Sequence, residues 1–357
     1  MKLDPTSSER LKLLRFPLIV GVVFIHGACH TGLSPVNTEA VHISYPSLFI
    51  MDLISQGIAR IAVPLFFIMS GYFFFLGFEW SLDQYKAKLR TRTNSLLIPF
   101  LFWNVLTLLL IALAQSFPAA SSYLSGKHGT IDSLGIYDYL NCIFGITRDP
   151  ISYQFWFIRD LMILILLAPL FVLILKKIPV IFISFLLVIW LLGLRWFDIP
   201  SITAIFFFSF GAFWAISKRD LFCLDRYGKV FLLAYGIILI VDIATKDGEF
   251  HDYIHRVGIL LGIVAAFYAT KLALGSKKIA GFLLWASSCS FFVFAMHEPA
   301  LTITKRMTYR FVAPDSDATA LLLYFLLPIL VIAAAMLCYH GLKALVPKFL
   351  SIISGGR

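Results

Sequence analysis

Charge is scarce in this chain. Asp, Glu, Lys and Arg make up 14% of its 357 residues, against roughly 25% in an ordinary soluble domain. With 60% hydrophobic residues, a soluble fold of this length has too little interior to hide the apolar surface, so hydrocarbon must act as solvent. Cysteine is also sparse. The five, at positions 29, 142, 223, 289 and 338, are scattered and imply no disulfide framework. No Walker-type glycine loop is present, and no repeat or low-complexity stretch exists beyond the apolar runs. The longest gap between those runs, 118–154, is too short for an independent catalytic module. One membrane domain over 1–357 is therefore expected.

What the sequence has is apolar residues in blocks. A spanning helix needs roughly 20 of them. Ten segments qualify, several of them short: 11–29, 57–78, 95–117, 155–175, 178–195, 201–217, 229–245, 257–274, 279–297 and 318–340. The stretch 47–56 is amphipathic, and either extends the second helix or lies at the interface. The expected fold is thus all-α, a polytopic membrane protein of about ten transmembrane helices. Lys and Arg set its orientation. With the N-terminus inside, cytoplasmic segments hold 19 of the 30 cations, outer segments hold eight, and Arg15, Arg60 and Arg159 fall within or at the ends of apolar segments. Both termini are therefore expected in the cytoplasm, in a bacterial inner (cytoplasmic) membrane. The net charge of +10 is explained by anionic lipid at the inner face, and no nucleic-acid partner is implied. Arg15 and His26 inside the first run, and the lack of a small-x-small cleavage site, argue that it is retained rather than removed as a signal peptide.

Ionisable residues within a membrane are costly, so each is a functional candidate. The first helix carries two, in Arg15-Phe-Pro-Leu-Ile-Val-Gly-Val-Val-Phe-Ile-His26. Helical geometry brings His26 to within roughly 20° of Arg15, about 16 Å further along the axis. Two polar groups on one stripe suit a buried aqueous or ligand-filled path; a lipid-snorkelling arginine and a satisfied core histidine are the plainer reading. Cys29 and His30 follow at a spacing that can bind zinc, but no third ligand accompanies them, so no metal is expected. The second segment contains Arg60, Pro64 and Ser70-Gly71, a pattern for a kinked, tightly packed helix. Next comes Lys86-Ala-Lys-Leu-Arg-Thr-Arg92, read as a cytoplasmic loop that either anchors the helix or holds an anion. Arg159 and Asp160 are adjacent, so on a helix they point about 100° apart and each should pair with a different neighbour. His297 and Glu298 are expected at the outer end of the ninth segment, where water is close.

Taken together, the pattern resembles the acyltransferase-3 family of membrane acyltransferases. The matching residues are Arg15 and His26 with ten residues between them, and Val63-Pro-Leu-Phe-Phe-Ile-Met-Ser-Gly-Tyr72. The Arg90-Thr-Arg92 segment before Ile98-Pro-Phe also matches, as do Trp156-Phe-Ile-Arg-Asp-Leu161 and Met296-His-Glu-Pro299. The likeness covers nearly the whole chain. Glu298 departs from it, standing where a proline directly after the histidine would be expected.

The resemblance implies transfer of an acyl group, usually acetyl, from cytoplasmic acyl-CoA to a hydroxyl of an extracytoplasmic glycan or lipid-linked sugar. A thioester is already activated, which agrees with the missing ATP motif. On this reading acetyl-CoA is the acyl donor, and membrane lipid is the surrounding partner. Arg90 and Arg92 hold the nucleotide end of CoA, and His26 acts as general base with Arg15 orienting the donor. Arg60, Ser70, Trp156, Arg159 and His297 are the candidate substrate contacts. A glycan transporter or flippase is the competing reading, since it too would have sparse intramembrane charges and a kinked helix. Orientation is open to direct test. Reporter fusions at Lys86, Arg219 and Lys277 should read as cytoplasmic, and a fusion at Glu249 as external. An external reading at Lys86 would overturn both the orientation and the proposed side of donor binding.

Overall fold

The computed structural model describes residues 4–27, 43–79, 81–117, 131–194 and 197–356, and all regular structure among them is helical. In chain order the main helices are α1 (Pro5–Gly27), α2 (Tyr45–Phe75), α3 (Leu82–Gln115), α4 (Ile136–Phe144), α5 (Tyr153–Leu166), α6 (Ala168–Lys177), α7 (Pro179–Leu192), α8 (Ile202–Ile216), α9 (Cys223–Ala244), α10 (His251–Leu274), α11 (Lys277–Ser287), α12 (Ser290–Phe311), α13 (Asp317–Leu345) and α14 (Pro347–Ile353). Helices satisfy their own backbone donors and acceptors, which is what hydrocarbon demands. Five of them, α2, α3, α9, α10 and α13, are long and apolar enough to cross a membrane; the number is seven if the bent pairs α5–α6 and α11–α12 each count as one span. The apolar helices α7 and α8 are shorter, at 14 and 15 residues.

The amphipathic stretch 47–56 extends the second helix. Within α2 the winding is π over Leu53–Gly57 and 3-10 over Ile58–Ile61, before the α-helical part that contains Pro64. The segment 86–92, read from sequence as a loop, is helical and forms part of α3. The reason is composition: no proline or glycine interrupts it, and Lys, Arg, Ala and Leu are good helix formers.

The chain packs as two compact units. The first comprises Met1–Ile25, Leu48–Leu89 and Ile163–Ser290; the second comprises His26–Ser47, Arg90–Met162 and Phe291–Arg357. In the first, α2 and α8 meet at two glycines. A Cβ on Gly71 would strike the Phe208 carbonyl, and one on Gly211 would strike that of Ile68. Such contact between backbones is how small residues join helices where no hydrophobic force drives them together. The same unit holds a buried cation. Arg10, 7% exposed, donates to both carboxylate oxygens of Asp225 at 2.7 and 3.0 Å, to Thr270 Oγ1 at 2.9 Å and to the Phe267 carbonyl at 2.7 Å. Its guanidinium carbon lies 3.6 Å from the ring centre of Phe222.

In the second unit, Trp103 of α3 donates to the Ile353 carbonyl at 3.0 Å, which ties α14 to α3. Asn104 and Thr107 of α3 receive the Ser152 backbone N–H at 3.2 Å and its hydroxyl at 2.7 Å, which fixes the start of α5. Gly27 leaves room for Pro328 of α13, whose ring a Cβ there would strike. The end of α1, the start of α5 and α12 from Phe291 onward all belong to this unit.

Arg10→Ala leaves the Asp225 carboxylate without its fork, and removing one partner of a buried pair costs about 3–5 kcal/mol. Thermal unfolding in detergent, followed by size-exclusion, should show a marked loss of stability. Arg10→Lys should recover only part of it, because an ammonium cannot donate as a fork.

Candidate active site

The site begins with a missing hydrogen. Pro299 has no N–H, so the Ala295 carbonyl one turn earlier has no helical donor. The residue before a proline is also driven toward extended backbone, and Glu298 has φ −114° and ψ 134° within α12. The side chain of Gln154, buried at the start of α5, repairs the break. Its amide NH2 donates to the Ala295 carbonyl at 3.2 Å and to the Glu298 carbonyl at 3.0 Å.

Glu298 is 4% exposed. One of its oxygens, Oε1, accepts from the Tyr153 hydroxyl at 3.1 Å; Oε2 accepts from the Thr302 backbone N–H at 3.4 Å. The Tyr153 oxygen also lies 3.0 Å from Nδ1 of His26. His26 stands in the last turn of α1, where helix carbonyls have no partner further along. The Lys305 ammonium, 2% exposed, donates to the His26 carbonyl at 3.1 Å. His297 is fully buried and stacks against His26, with ring centres 5.6 Å apart and 28° between the planes.

Tyr153 has one hydroxyl proton to give. Donated to Glu298, it leaves the phenol oxygen to accept from Nδ1–H of His26, and the imidazole then carries its lone pair on Nε2. The chain Glu298–Tyr153–His26 therefore orients a histidine in the tautomer a general base requires. This is the logic of a catalytic triad with a phenol between acid and imidazole. The same accounting applies to His297. Its Nδ1 lies 2.6 Å from the Phe294 carbonyl, so Nδ1 carries the hydrogen and Nε2 the lone pair.

The second unit thus brings together two residues singled out from sequence, His26 and His297. It adds Tyr153, Gln154, Glu298 and Lys305. Two expectations are corrected. His297 and Glu298 are enclosed in protein rather than bathed at an interface, because the break at Pro299 turns Glu298 inward to Tyr153. Arg159 and Asp160 pair with each other: Nε and Nη2 of Arg159 reach Asp160 Oδ1 at 3.1 and 3.0 Å. The long arginine stem folds back, which the 100° between adjacent positions does not prevent. Arg159 Nη1 also donates to the carbonyls of Gly145 and Arg148 at 2.9 and 3.1 Å, so it secures the segment before α5.

None of the hydrogen bonds just described for Glu298, Tyr153 and His26 involves the remaining candidates. Trp156 is half-buried in α5. Arg92 is half-buried and Arg90 exposed at one end of the α-helical part of α3, and neither has a hydrogen bond or ion pair among the described residues. Two positions apart on a helix, their side chains leave from nearly opposite sides. Arg15, Arg60 and Ser70 belong to the first unit. Arg15 is half-buried and has no hydrogen bond or ion pair among the described residues, whereas Arg60 donates to the Gln56 side chain. Cys29 and His30 lie outside the described residues; among those described, no group of three or more His, Cys, Asp or Glu could hold a metal ion. Tyr153, Gln154 and Lys305 carried no sequence signal, since a tyrosine, a glutamine and a loop-side lysine are ordinary where they stand.

A helical membrane protein with a tyrosine-oriented histidine and a buried glutamate has the outline of a group-transfer enzyme. Residues 8–340 match the acyltransferase domain family that the sequence motifs resemble, and the chain belongs to the acyltransferase-3 family. It is 26% identical over 99% of its length, and 94% of the relative's, to the succinoglycan biosynthesis protein ExoH of Rhizobium meliloti (strain 1021). No solved structure matches the chain.

If Tyr153 and Glu298 orient His26, Tyr153→Phe should slow acyl transfer about 10- to 100-fold, the usual penalty for losing such an outer partner. Glu298→Gln should act in the same direction. In each case kcat should fall while KM for the donor changes little, as read by steady-state kinetics on protein with parental thermal stability.

Proposed function

We propose that this chain is an inner-membrane O-acyltransferase that moves an acyl group, most simply acetyl, from cytoplasmic acetyl-CoA to a hydroxyl of an extracytoplasmic or lipid-linked glycan. The observation that carries the reading is the hydrogen-bonded chain Glu298–Tyr153–His26, which presents Nε2 of His26 as a base. Membership of the acyltransferase-3 family supports the reaction class, and the relative named for succinoglycan biosynthesis supports a glycan as acceptor. The ten apolar segments support ten spans, and the positive-inside bias supports both termini being cytoplasmic.

In the proposed reaction the acceptor oxygen attacks the thioester carbonyl carbon while Nε2 of His26 takes the hydroxyl proton. Collapse of the tetrahedral adduct breaks the C–S bond, and the imidazolium returns the proton to the departing sulfur. The sum is one ester and one thiol, with no proton gained or lost. The carboxylate of Glu298, acting through Tyr153, stabilises the positive charge that His26 acquires. Arg15 is assigned to orienting the donor, and Arg90 and Arg92 to its phosphates. Arg60, Ser70, Trp156 and His297 are assigned to substrate, and Arg159 to support of the segment around Gly145.

The roles divide cleanly in kinetics. His26→Ala should lower kcat about 10²- to 10⁴-fold and leave donor affinity nearly unchanged. Arg90→Ala or Arg92→Ala should raise KM for acetyl-CoA roughly 10- to 150-fold with kcat largely kept, since a charge-assisted contact is worth about 1.5–3 kcal/mol. An H26A enzyme that keeps most of its kcat makes the histidine a core residue and ends this mechanism. Arginine variants that lose kcat at unchanged KM place the CoA phosphates elsewhere.

A further inference from the structure

The atoms of the site that have no partner share one polarity. Nε2 of His297 is buried without a hydrogen-bond partner, and so is Oε1 of Gln154. Their neighbours determine what each can do. The Phe294 carbonyl lies 2.6 Å from Nδ1 of His297, so that nitrogen carries the hydrogen. The Ala295 and Glu298 carbonyls occupy both hydrogens of the Gln154 amide and so fix which end is oxygen. What remains at each is a lone pair, and neither residue can turn without losing a bond it already makes. Buried polar atoms are seldom left unpaired, because each costs about 1–3 kcal/mol. Two unpaired acceptors held by the same helix break therefore call for a ligand that brings donors.

That requirement discriminates among ligands. The reacting end of an acyl-CoA, the thioester, offers only acceptors, and its amide and hydroxyl donors lie further back along the pantetheine chain; a carboxylate is an acceptor as well. A sugar ring offers several O–H donors on adjacent carbons. His297 stacks 5.6 Å from the half-buried His26, a spacing that hydroxyls on adjacent carbons of one ring can bridge. Resting on the acyl-transfer reading above, we propose that His297 and Gln154 form a hydroxyl-reading subsite. They accept hydrogen bonds from acceptor hydroxyls that do not react, and so select which hydroxyl of the sugar reaches His26. Both are specificity-determining residues, distinct in role from the base.

The test uses full-length protein in detergent, acetyl-CoA, and methyl glucopyranoside and methyl galactopyranoside as acceptors, each with its set of monodeoxy analogues. The variants are His297→Asn, whose amide keeps the bond to Phe294 but removes the acceptor at the Nε2 position, and His297→Gln, whose longer side chain returns one there. In the parent, at least one deoxy analogue lacking a non-reacting hydroxyl should be transferred roughly 5- to 150-fold less efficiently than its parent sugar, the value of one buried hydrogen bond. His297→Asn should bring that ratio close to one, by lowering turnover of the full sugar to that of the analogue, and His297→Gln should restore part of it. A ratio unchanged in His297→Asn overturns the subsite, with acyl transfer itself intact; a buried water would then be the partner of Nε2. If no sugar is acylated even by the parent, the transfer reading fails, and saturation-transfer NMR judges the subsite alone. Binding of the methyl glycosides that weakens in His297→Asn supports it, whereas equal binding, or none, overturns it.

Discussion

A single backbone hydrogen bond that cannot form sits at the centre of this protein. Pro299 offers no N–H to the Ala295 carbonyl, and inside a membrane protein no bulk water is at hand to replace it. The chain answers with Gln154, whose amide takes over two carbonyls at the break. That repair brings the start of α5 against the middle of α12. Tyr153, the residue before Gln154, is thereby placed between Glu298 and His26, and the last turn of α1 is secured by Lys305 from the far side of the same break. A polar site is costly to build among apolar helices, and here the irregular backbone supplies the reason for each polar side chain.

The rest of the structure obeys the same constraint by other means. Arg10 and Asp242, two buried charges of the first unit, each have a partner of opposite polarity. Arg10 divides its donors among Asp225, Thr270 and Phe267, and Asp242 accepts from His255 at 2.8 Å. Where helices must approach without a hydrophobic force between them, Gly71 and Gly211 bring backbone against backbone. Arg159 shows the cost of reading such residues one at a time. On sequence it is an intramembrane cation and hence a candidate for substrate; in the structure it secures Gly145 and Arg148 and pairs with its own neighbour. The unpaired lone pairs of His297 and Gln154 stand beside Tyr153 and Glu298, whose polar atoms are hydrogen-bonded.

Apolar periodicity, proline and the distribution of cations are local properties, and they made the helical architecture legible from sequence. Each apolar block falls on a helix or a bent pair, because hydrocarbon leaves the backbone few alternatives. The motif around Arg15 and His26 was legible as well, for the cost of an ionisable group in a membrane attaches to the residue itself. Other features were decided by packing. That residues 86–92 are helical depended on the helix they join, and that Glu298 points inward depended on Tyr153. Tyr153, Gln154 and Lys305 had no signal of their own, since their roles exist only through partners more than 100 positions away. Hydrophobicity and charge belong to single residues and survive in a string of letters. A tautomer, a filled carbonyl and an unpaired lone pair belong to pairs of residues, and only the tertiary structure states which pairs meet.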